Sequence, residues 1–251
     1  MSITDPTHAV LIVAHGERGG RCNNARLMEL ADEVRDRLGD IEVVAGVLRG
    51  TPSIADAWAS LKAPNRFIYP FFMADGYFCN RILPKKVSEA IGEEDAPFTM
   101  LPPFGVSDDL ADGVARALLA EIDQLGRSGT KPPILIAAHG ASIDKQSSTR
   151  ARELAAQLDQ TGQFGPITCG FLDEAPHLED MISSIEPGSL VLPHFNGLGS
   201  HSVDDMAELS SKAPEGCHFV TPVGGQSWVG KVMTADIEKA LRWSEIAEAA
   251  E

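Results

Sequence analysis

Two short apolar runs in the sequence each end at a histidine, and these histidines are the first candidates for chemistry. The runs at residues 10–14 and 134–138 are followed by His15 and His139, each with a glycine next to it. A further histidine, His201, follows a third apolar run in the second half of the chain. Neutral imidazole binds first-row metals such as iron, cobalt, nickel and zinc, and it also accepts protons near neutral pH. These residues therefore favour a metal site or a general base.

The two His-Gly pairs belong to an internal repeat that runs through the whole chain. The matched segments are Val10–Gly16 with Ile134–Gly140, Gly46–Arg49 with Gly170–Asp173, Pro52 with Pro176, Pro70–Phe72 with Pro193–Phe195, and Pro103–Gly105 with Pro222–Gly224. Five matches in the same order indicate a duplicated lobe. The Gly- and Pro-containing stretch Arg127–Pro133 is the natural linker. The sequence thus predicts an N-terminal lobe at residues 1–126 and a C-terminal lobe at 131–251.

Each lobe alternates short apolar runs with longer stretches of helical period. The predicted strands are Ala9–Ala14, Ile41–Leu48, Arg66–Phe71 and Phe98–Leu101, then Ile134–Ala138, Ile167–Leu172, Ser189–Leu192 and His218–Thr221, and the first-lobe helices are Ala25–Leu38, Ser53–Leu61, Ile82–Ile91 and Asp108–Leu125. Strands that are apolar on both faces are typical of parallel sheets covered by helices. We therefore expect an α/β fold with two similar lobes, each a four-stranded parallel sheet flanked by helices.

This fold predicts where the histidines meet. In an open parallel sheet of order 2-1-3-4, ligands bind beyond the carboxyl ends of strands one and three. His139 follows strand one of the second lobe, and His201 closes the loop after strand three. Because neighbouring strands lie about 4.8 Å apart, the two side chains can converge. The equivalent first-lobe residues are His15 and Phe78, and since phenylalanine cannot bind a metal, the pair is expected only in the second lobe.

The charged residues near these positions differ between the lobes in the same way. Asp204 and Asp205 follow His201, whereas the first lobe has Arg81 at the corresponding place, and Asp173 aligns with Arg49. We interpret the second lobe as the metal face and the first as a face for anionic groups, which arginine binds well. A simpler interpretation of the two aspartates stays open, because acidic residues also favour the first turn of a helix.

The combination of these motifs resembles the class II tetrapyrrole chelatases, and within them the CbiX and SirB group. The resemblance rests on the strand-His-Gly motif, the Phe-Leu-acid segment ending at Asp173, the Pro-x-Phe segment, and the glycine-containing loop that ends at His201. It covers both lobes, as in the long members of the group. The sequence departs from the family at Phe78, where a histidine is usual. It departs again after each His-Gly pair, where Ser-Arg is replaced by Glu17-Arg18 and Ala141-Ser142.

The resemblance implies ATP-independent insertion of Co²⁺ or Fe²⁺ into sirohydrochlorin, in a cleft between the lobes. The metal would be a substrate, and no permanently bound cofactor is expected. His139 and His201 would deliver the metal and accept protons, and Asp204 and Asp205, with Asp173, would attract the metal ion or relay protons. The residues expected to bind the anionic macrocycle are His15, Arg18, Arg21, Arg49, Arg81 and Lys145. The alternative is a non-catalytic carrier of tetrapyrrole or metal with the same fold.

Net charge, cysteine spacing and two single positions disfavour other classes of function. The chain has 251 residues and a formal net charge of −15, which disfavours nucleic acid and anionic membranes as partners. The four cysteines form no metal-binding pair, and no targeting segment is evident, so we expect a cytoplasmic protein. Because two fused lobes make an obligatory dimer unnecessary, we expect a monomer or weak homodimer. A histidine phosphatase is disfavoured because Ala14 and Ala138 stand where that class needs a phosphate-binding arginine. His194, beside the third strand of the second lobe, is interpreted as a packing residue rather than a third ligand.

Overall fold

The structure is a computed structural model that describes residues 6–16, 24–92, 97–140, 145–197 and 200–248, of which residues 200–205 and 244–248 are described by their backbone alone. The first repeat contains β1 (His8–Ala14), α1 (Ala25–Leu38), β2 (Glu42–Val47), α2 (Ile54–Ser60), β3 (Asn65–Pro70), α3 (Leu83–Ile91), β4 (Thr99–Met100) and α4 (Leu110–Gln124). The second contains β5 (Ile134–Ala138), α5 (Gln146–Gln160), β6 (Ile167–Phe171), α6 (Leu178–Ile182), β7 (Leu190–Pro193), α7 (Ser200–Lys212), β8 (His218–Phe219) and α8 (Val229–Glu248).

The strands form two separate four-stranded sheets, and every strand pairing is parallel. The first sheet has the order β2-β1-β3-β4 and the second has the order β6-β5-β7-β8. The interior strands β1 and β5, one in each sheet, are buried on both faces, because helices cover each sheet on its two sides. The predicted fold class, two similar parallel sheets flanked by helices, is confirmed, and so is the predicted strand order.

Local sequence signals explain several helix boundaries. α1 ends where predicted, at Leu38, and the positive φ of 69° at the following Gly39 allows its N–H to donate to the Arg35 carbonyl. α2 begins after Ser53, whose hydroxyl accepts from the backbone N–H of Asp56 at 3.1 Å. The sequence missed one feature, a π-helical turn at Phe78–Ile82 that precedes α3. Such a turn has no distinct sequence pattern, because it changes the hydrogen-bond partner and not the residue types.

A repeated glycine lets the chain pass close to the loop that follows the third strand of each sheet. Gly105 donates its N–H to the Phe72 carbonyl, and Gly224 donates to the Phe195 carbonyl in the same way. A Cβ on Gly105 would lie 2.1 Å from the Met73 carbonyl group, and one on Gly224 would lie 2.1 Å from the Asn196 oxygen. The Pro-x-Gly match between the repeats therefore reflects the same close backbone approach in both.

Each compact unit of the structure matches one sequence repeat except for its terminal helix. The first unit comprises residues 1–107 and 227–251, and the second comprises residues 108–226. The helix α4, which ends the first repeat, thus belongs with the second sheet, and α8, which ends the second repeat, belongs with the first. The division at 1–126 and 131–251 stays a prediction of where the two copies of the repeat lie.

Polar side chains attach each of these terminal helices to its unit. In the first unit the Tyr69 hydroxyl donates to Oδ2 of Asp236 on α8 at 2.7 Å, and Ser107 donates to Oδ1 at 2.8 Å. Burial, reinforced by the Asp236 carboxylate, raises the pKa of Tyr69, so its hydroxyl remains a donor. In the second unit Nε2 of His218 lies 2.7 Å from Oε1 of Glu121 on α4.

Candidate metal centre

The proposed site lies at the carboxyl edge of the second sheet, where β5 and β6 end side by side. His139 follows β5 directly. The backbone hydrogen bonds between the two strands continue for two residues beyond the end of β6. The N–H groups of Leu172 and Asp173 donate to the carbonyls of Ala138 and His139 at 3.1 and 3.0 Å. This pairing brings Asp173 next to His139, although the two residues are distant along the chain.

The side chains of these two residues also interact. Nδ1 of His139 lies 3.2 Å from Oδ2 of Asp173, and both side chains are about half exposed. A carboxylate at this distance favours the tautomer with hydrogen on Nδ1, which places the lone pair on Nε2. Metal-binding histidines are commonly oriented by such a carboxylate. The arrangement therefore suits His139 to hold a metal ion or to accept a proton through Nε2.

A second carboxylate lies against the glycine that follows His139. Gly140 has a positive φ of 69°, and a Cβ on it would lie 3.0 Å from both Cγ and Oε1 of Glu174. The glycine thus permits both the backbone turn and the close approach of the Glu174 side chain. The carboxylates of Asp173 and Glu174 make this edge attractive to a cation.

The second predicted metal ligand and the two predicted catalytic aspartates stand in the first turns of α7. His201, Asp204 and Asp205 are all part of this helix, which begins at Ser200, and their side chains lie outside the described part of the structure. Their convergence with His139 stays a prediction. Among the side chains that the structure describes, no three His, Cys, Asp or Glu residues form a metal-binding group.

The equivalent edge of the first unit shows that the two loop positions do meet. His15 follows β1, and its ring lies 6.3 Å from that of Phe78, at an angle of 62°. Arg49 occupies the place of Asp173, since its N–H donates to the His15 carbonyl at 3.1 Å. Phe78 is the residue that the repeat aligns with His201. The fold therefore brings the residue after the first strand and the end of the loop after the third strand together in this unit.

The predicted substrate-binding residues fall at these same edges where the structure describes them. Arg49 and Arg81 are exposed at the carboxyl edge of the first sheet, and Arg81 lies in the π-helical turn. Lys145 is exposed immediately before α5, at the end of the loop that follows β5. Arg18 and Arg21 lie outside the described residues. The role of this set in binding the macrocycle stays a prediction.

His194 is a deeply buried histidine that follows β7. Its side chain is 3% exposed, and neither ring nitrogen has a hydrogen-bond partner in the described part of the chain. Burial lowers its pKa to about 4, so the ring is neutral at physiological pH. The internal repeat predicts apolar surroundings for His194, because the equivalent residue of the first unit is Phe71. The Phe71 ring packs against Phe104 with ring centroids 5.2 Å apart.

Comparison with known proteins places both repeats in one family. The sequence model of the CbiX family matches residues 9–121 and again residues 133–240. The chain belongs to the CbiX family. A curated CbiX relative from Halobacterium salinarum, named "Probable sirohydrochlorin cobaltochelatase", is 20% identical over 221 residues, covering 80% of this chain and 75% of the relative.

Solved structures of CbiX-like proteins share the fold. One is described as CbiX, the terminal enzyme for biosynthesis of siroheme in denitrifying bacteria. It is 30% identical, covers 92% of this chain and 99% of its own, and gives a TM-score of 0.79. SirB from Bacillus subtilis with Fe³⁺ gives a TM-score of 0.76 at 14% identity, covering 95% of this chain and 97% of its own, and this likeness supports the fold alone. The resemblance found in the sequence motifs is confirmed.

Proposed function

We propose that this protein inserts Co²⁺ or Fe²⁺ into sirohydrochlorin, with the metal delivered at the carboxyl edge of the second unit. The observation that carries the assignment to this unit is the His139–Asp173 pair, which the first unit replaces with His15 and Arg49. Membership of the CbiX family supports the reaction, since a curated relative is named a sirohydrochlorin cobaltochelatase and a 30% identical relative is described as an enzyme of siroheme biosynthesis.

The reaction exchanges a metal ion for the two protons on the pyrrole nitrogens of the macrocycle, so the protein must release a metal and accept protons. Nε2 of His139 can do either, because Asp173 holds the other ring nitrogen in its protonated form. We assign His201 as the second metal-binding histidine. A site with few protein ligands and open positions releases a metal more readily than a closed four-ligand site does. Asp204 and Asp205, with Asp173 and Glu174, would attract the ion and take up protons.

The metal is a substrate in this proposal, and no permanently bound cofactor is required. Iron and cobalt both suit imidazole and carboxylate ligands, so the ligand types alone do not select between them. We expect the protein to act in the cytoplasm, as a monomer or weak homodimer and without nucleic acid. Within the described residues, no helix is both long enough and apolar enough to cross a membrane.

The test is a metal-insertion assay with matched variants. Purified protein is mixed with sirohydrochlorin and either Co²⁺ or, under anaerobic conditions, Fe²⁺, and the absorption change of the macrocycle is compared with the rate without protein. His139→Ala and His201→Ala should abolish the acceleration. His15→Ala is the matched comparison, because it removes the equivalent residue of the first unit, and it should cost less activity than His139→Ala or His201→Ala.

Two results would contradict the proposal. Equal insertion rates with and without protein, together with stoichiometric binding of metal or macrocycle, would identify a carrier instead of an enzyme. A larger loss in His15→Ala than in His139→Ala would place the metal site in the first unit.

A further inference from the structure

At the carboxyl edge of the first sheet, an aromatic cluster stands where the repeat places the proposed metal ligand His201. Phe78 holds the position that the repeat gives to His201, and its ring packs against Phe72 with centroids 5.3 Å apart. His15 meets the same ring at 6.3 Å. A phenyl ring cannot bind the metal, but it presents an apolar surface beside a histidine that can still form hydrogen bonds.

Tyr77 directly precedes Phe78 in the chain and is exposed to solvent. Its side chain is 63% exposed, which is unusual for a large aromatic residue, and among the large hydrophobic residues described only Trp243, at 66%, is as exposed. Tyr77 begins the π-helical turn at Phe78–Ile82, and Arg81 follows four residues later. Residues at this spacing leave neighbouring positions on one face of the turn. The aromatic ring and the guanidinium therefore share one side of the sheet edge.

The two arginines at this edge carry positive charge that the described residues do not neutralise. Arg49 and Arg81 are both exposed, and neither forms a salt bridge with a described carboxylate, whereas Arg26, Arg35 and Arg150 all do so. This is notable in a protein of net charge −15, where carboxylates are abundant. Guanidinium groups without a carboxylate partner among the described residues, at the same sheet edge as one exposed aromatic ring, suit a planar ligand that bears carboxylates.

We propose that this surface, formed by His15, Arg49, Phe72, Tyr77, Phe78 and Arg81, binds the metal-free macrocycle. The Tyr77 ring stacks on the macrocycle, and Arg49 and Arg81 bind its carboxylate substituents. The proposal rests on the proposed function, because the ligand is the substrate of that reaction. It explains why phenylalanine serves better than histidine at position 78: the first unit then holds the macrocycle without holding the metal as well.

The experiment measures macrocycle binding by the intact protein, with Tyr77→Ala as the main variant. Tyr77 is exposed, so this change should leave the fold intact, unlike removal of the partly buried Phe78. Binding is followed by fluorescence quenching of uroporphyrin, a planar macrocycle with the same kind of carboxylate substituents, and by the KM for sirohydrochlorin. Loss of one stacking aromatic ring should raise Kd and KM about fivefold to tenfold and leave kcat nearly unchanged.

Two control variants separate stacking from general effects. Tyr77→Phe keeps the ring and should bind like the unchanged protein. Trp243→Ala removes an equally exposed aromatic residue, 66% exposed, that lies on α8 about 20 Å along the helix from its start. The start of α8 adjoins this end of the sheet, since Trp228 stacks on Phe104. Trp243→Ala should therefore leave Kd unchanged, and Co²⁺ binding should be the same in all variants.

The outcomes distinguish this inference from the proposed function. If insertion proceeds but Tyr77→Ala binds the macrocycle as tightly as the unchanged protein, or no more weakly than Trp243→Ala, the stacking surface is refuted and the enzyme stands. If Tyr77→Ala weakens binding but the unchanged protein does not accelerate insertion, the surface stands and the enzyme is refuted. Failure of the unchanged protein to bind either macrocycle would overturn both.

Discussion

Replacing His194 with phenylalanine should make the protein more resistant to acid. The His194 ring is buried, and neither nitrogen has a partner in the described part of the chain, so burial disfavours its charged form. Phe71 shows that a phenyl ring suits this position in the same fold, since it is 2% exposed at the equivalent place in the first unit. His194→Phe therefore removes a titrating group and retains a buried aromatic ring.

The size of the effect follows from the two pKa values of His194. The ordinary pKa of histidine is 6.5, and burial lowers that of His194 to about 4. Between these values the unfolded chain binds a proton that the folded protein does not bind, so the free energy of unfolding falls as pH falls through this window. At 1.36 kcal/mol for each pH unit, the difference corresponds to about 3 kcal/mol of stability lost by pH 4. Above pH 6.5 this contribution to the pH dependence vanishes.

The assay is urea unfolding, followed by tryptophan fluorescence, at pH 7.5, about 6 and about 5. Other groups also contribute to acid unfolding, so the informative quantity is the difference between His194→Phe and the unchanged protein at each pH. That difference should grow in favour of the variant as pH falls. His177→Ala, which removes an exposed histidine, should show no such trend. Parallel losses of stability in His194→Phe and the unchanged protein would refute the argument, as would an NMR titration of His194 near 6.5.

Three further substitutions test the site and the fold. Asp173→Ala should slow metal insertion about 10-fold to 100-fold by releasing the His139 ring, and Asp173→Asn should slow it less because an amide oxygen still accepts from Nδ1; equal losses in the two would contradict an orienting role. Phe78→His should add about one equivalent of bound Co²⁺, counted by equilibrium dialysis, because the His15 and Phe78 rings are only 6.3 Å apart, so that side-chain rotation can bring two imidazole nitrogens to about 2 Å from one metal ion; unchanged stoichiometry would contradict it. Asp236→Ala should lower the free energy of unfolding by about 2 kcal/mol, measured by urea titration, because it leaves a buried tyrosine hydroxyl unpaired; no loss would show that the hydroxyl finds another partner.

The fold was predictable because the sequence repeats its strongest signals. The apolar runs of β1 and β5 are buried on both faces, and runs of this kind identify interior strands of parallel sheets. With four strands in each lobe and right-handed crossovers between them, only a few strand orders are possible. Predictions for the strand ends were less accurate: β8 ends at Phe219, whereas the predicted strand continues to Thr221, and of the two extra residues Val220 is buried. A hydrophobic pattern indicates which residues are buried, and burial can continue past the last residue of a strand.

The site was predictable in part, for a different reason. Sequence alignment of the repeats paired Arg49 with Asp173, and the backbone bonds from these residues to the carbonyls of His15 and His139 confirm that the two positions are equivalent. The direct contact between the Asp173 carboxylate and the His139 ring was not predictable, since it depends on side-chain rotamers. The apolar surroundings of His194 follow from the repeat only when Phe71 is recognised as its counterpart.

The placement of the two terminal helices shows what hydrophobic pattern cannot specify. Both α4 and α8 carry an apolar face, and an apolar face by itself does not select one of two similar sheets. Groups that only one sheet offers can make the choice. Tyr69 provides such a group for α8, because the equivalent residue of the second sheet is a leucine and could not donate to Asp236. His218 provides one for α4, because its counterpart in the first sheet, Thr99, is too short to reach a glutamate as an imidazole does. A helix on the wrong sheet would leave the partly buried Asp236 or Glu121 without its hydrogen-bond partner, which disfavours that arrangement. Two hydrogen-bonded pairs, each absent from the other repeat, thus give a duplicated chain a way to distinguish its two halves.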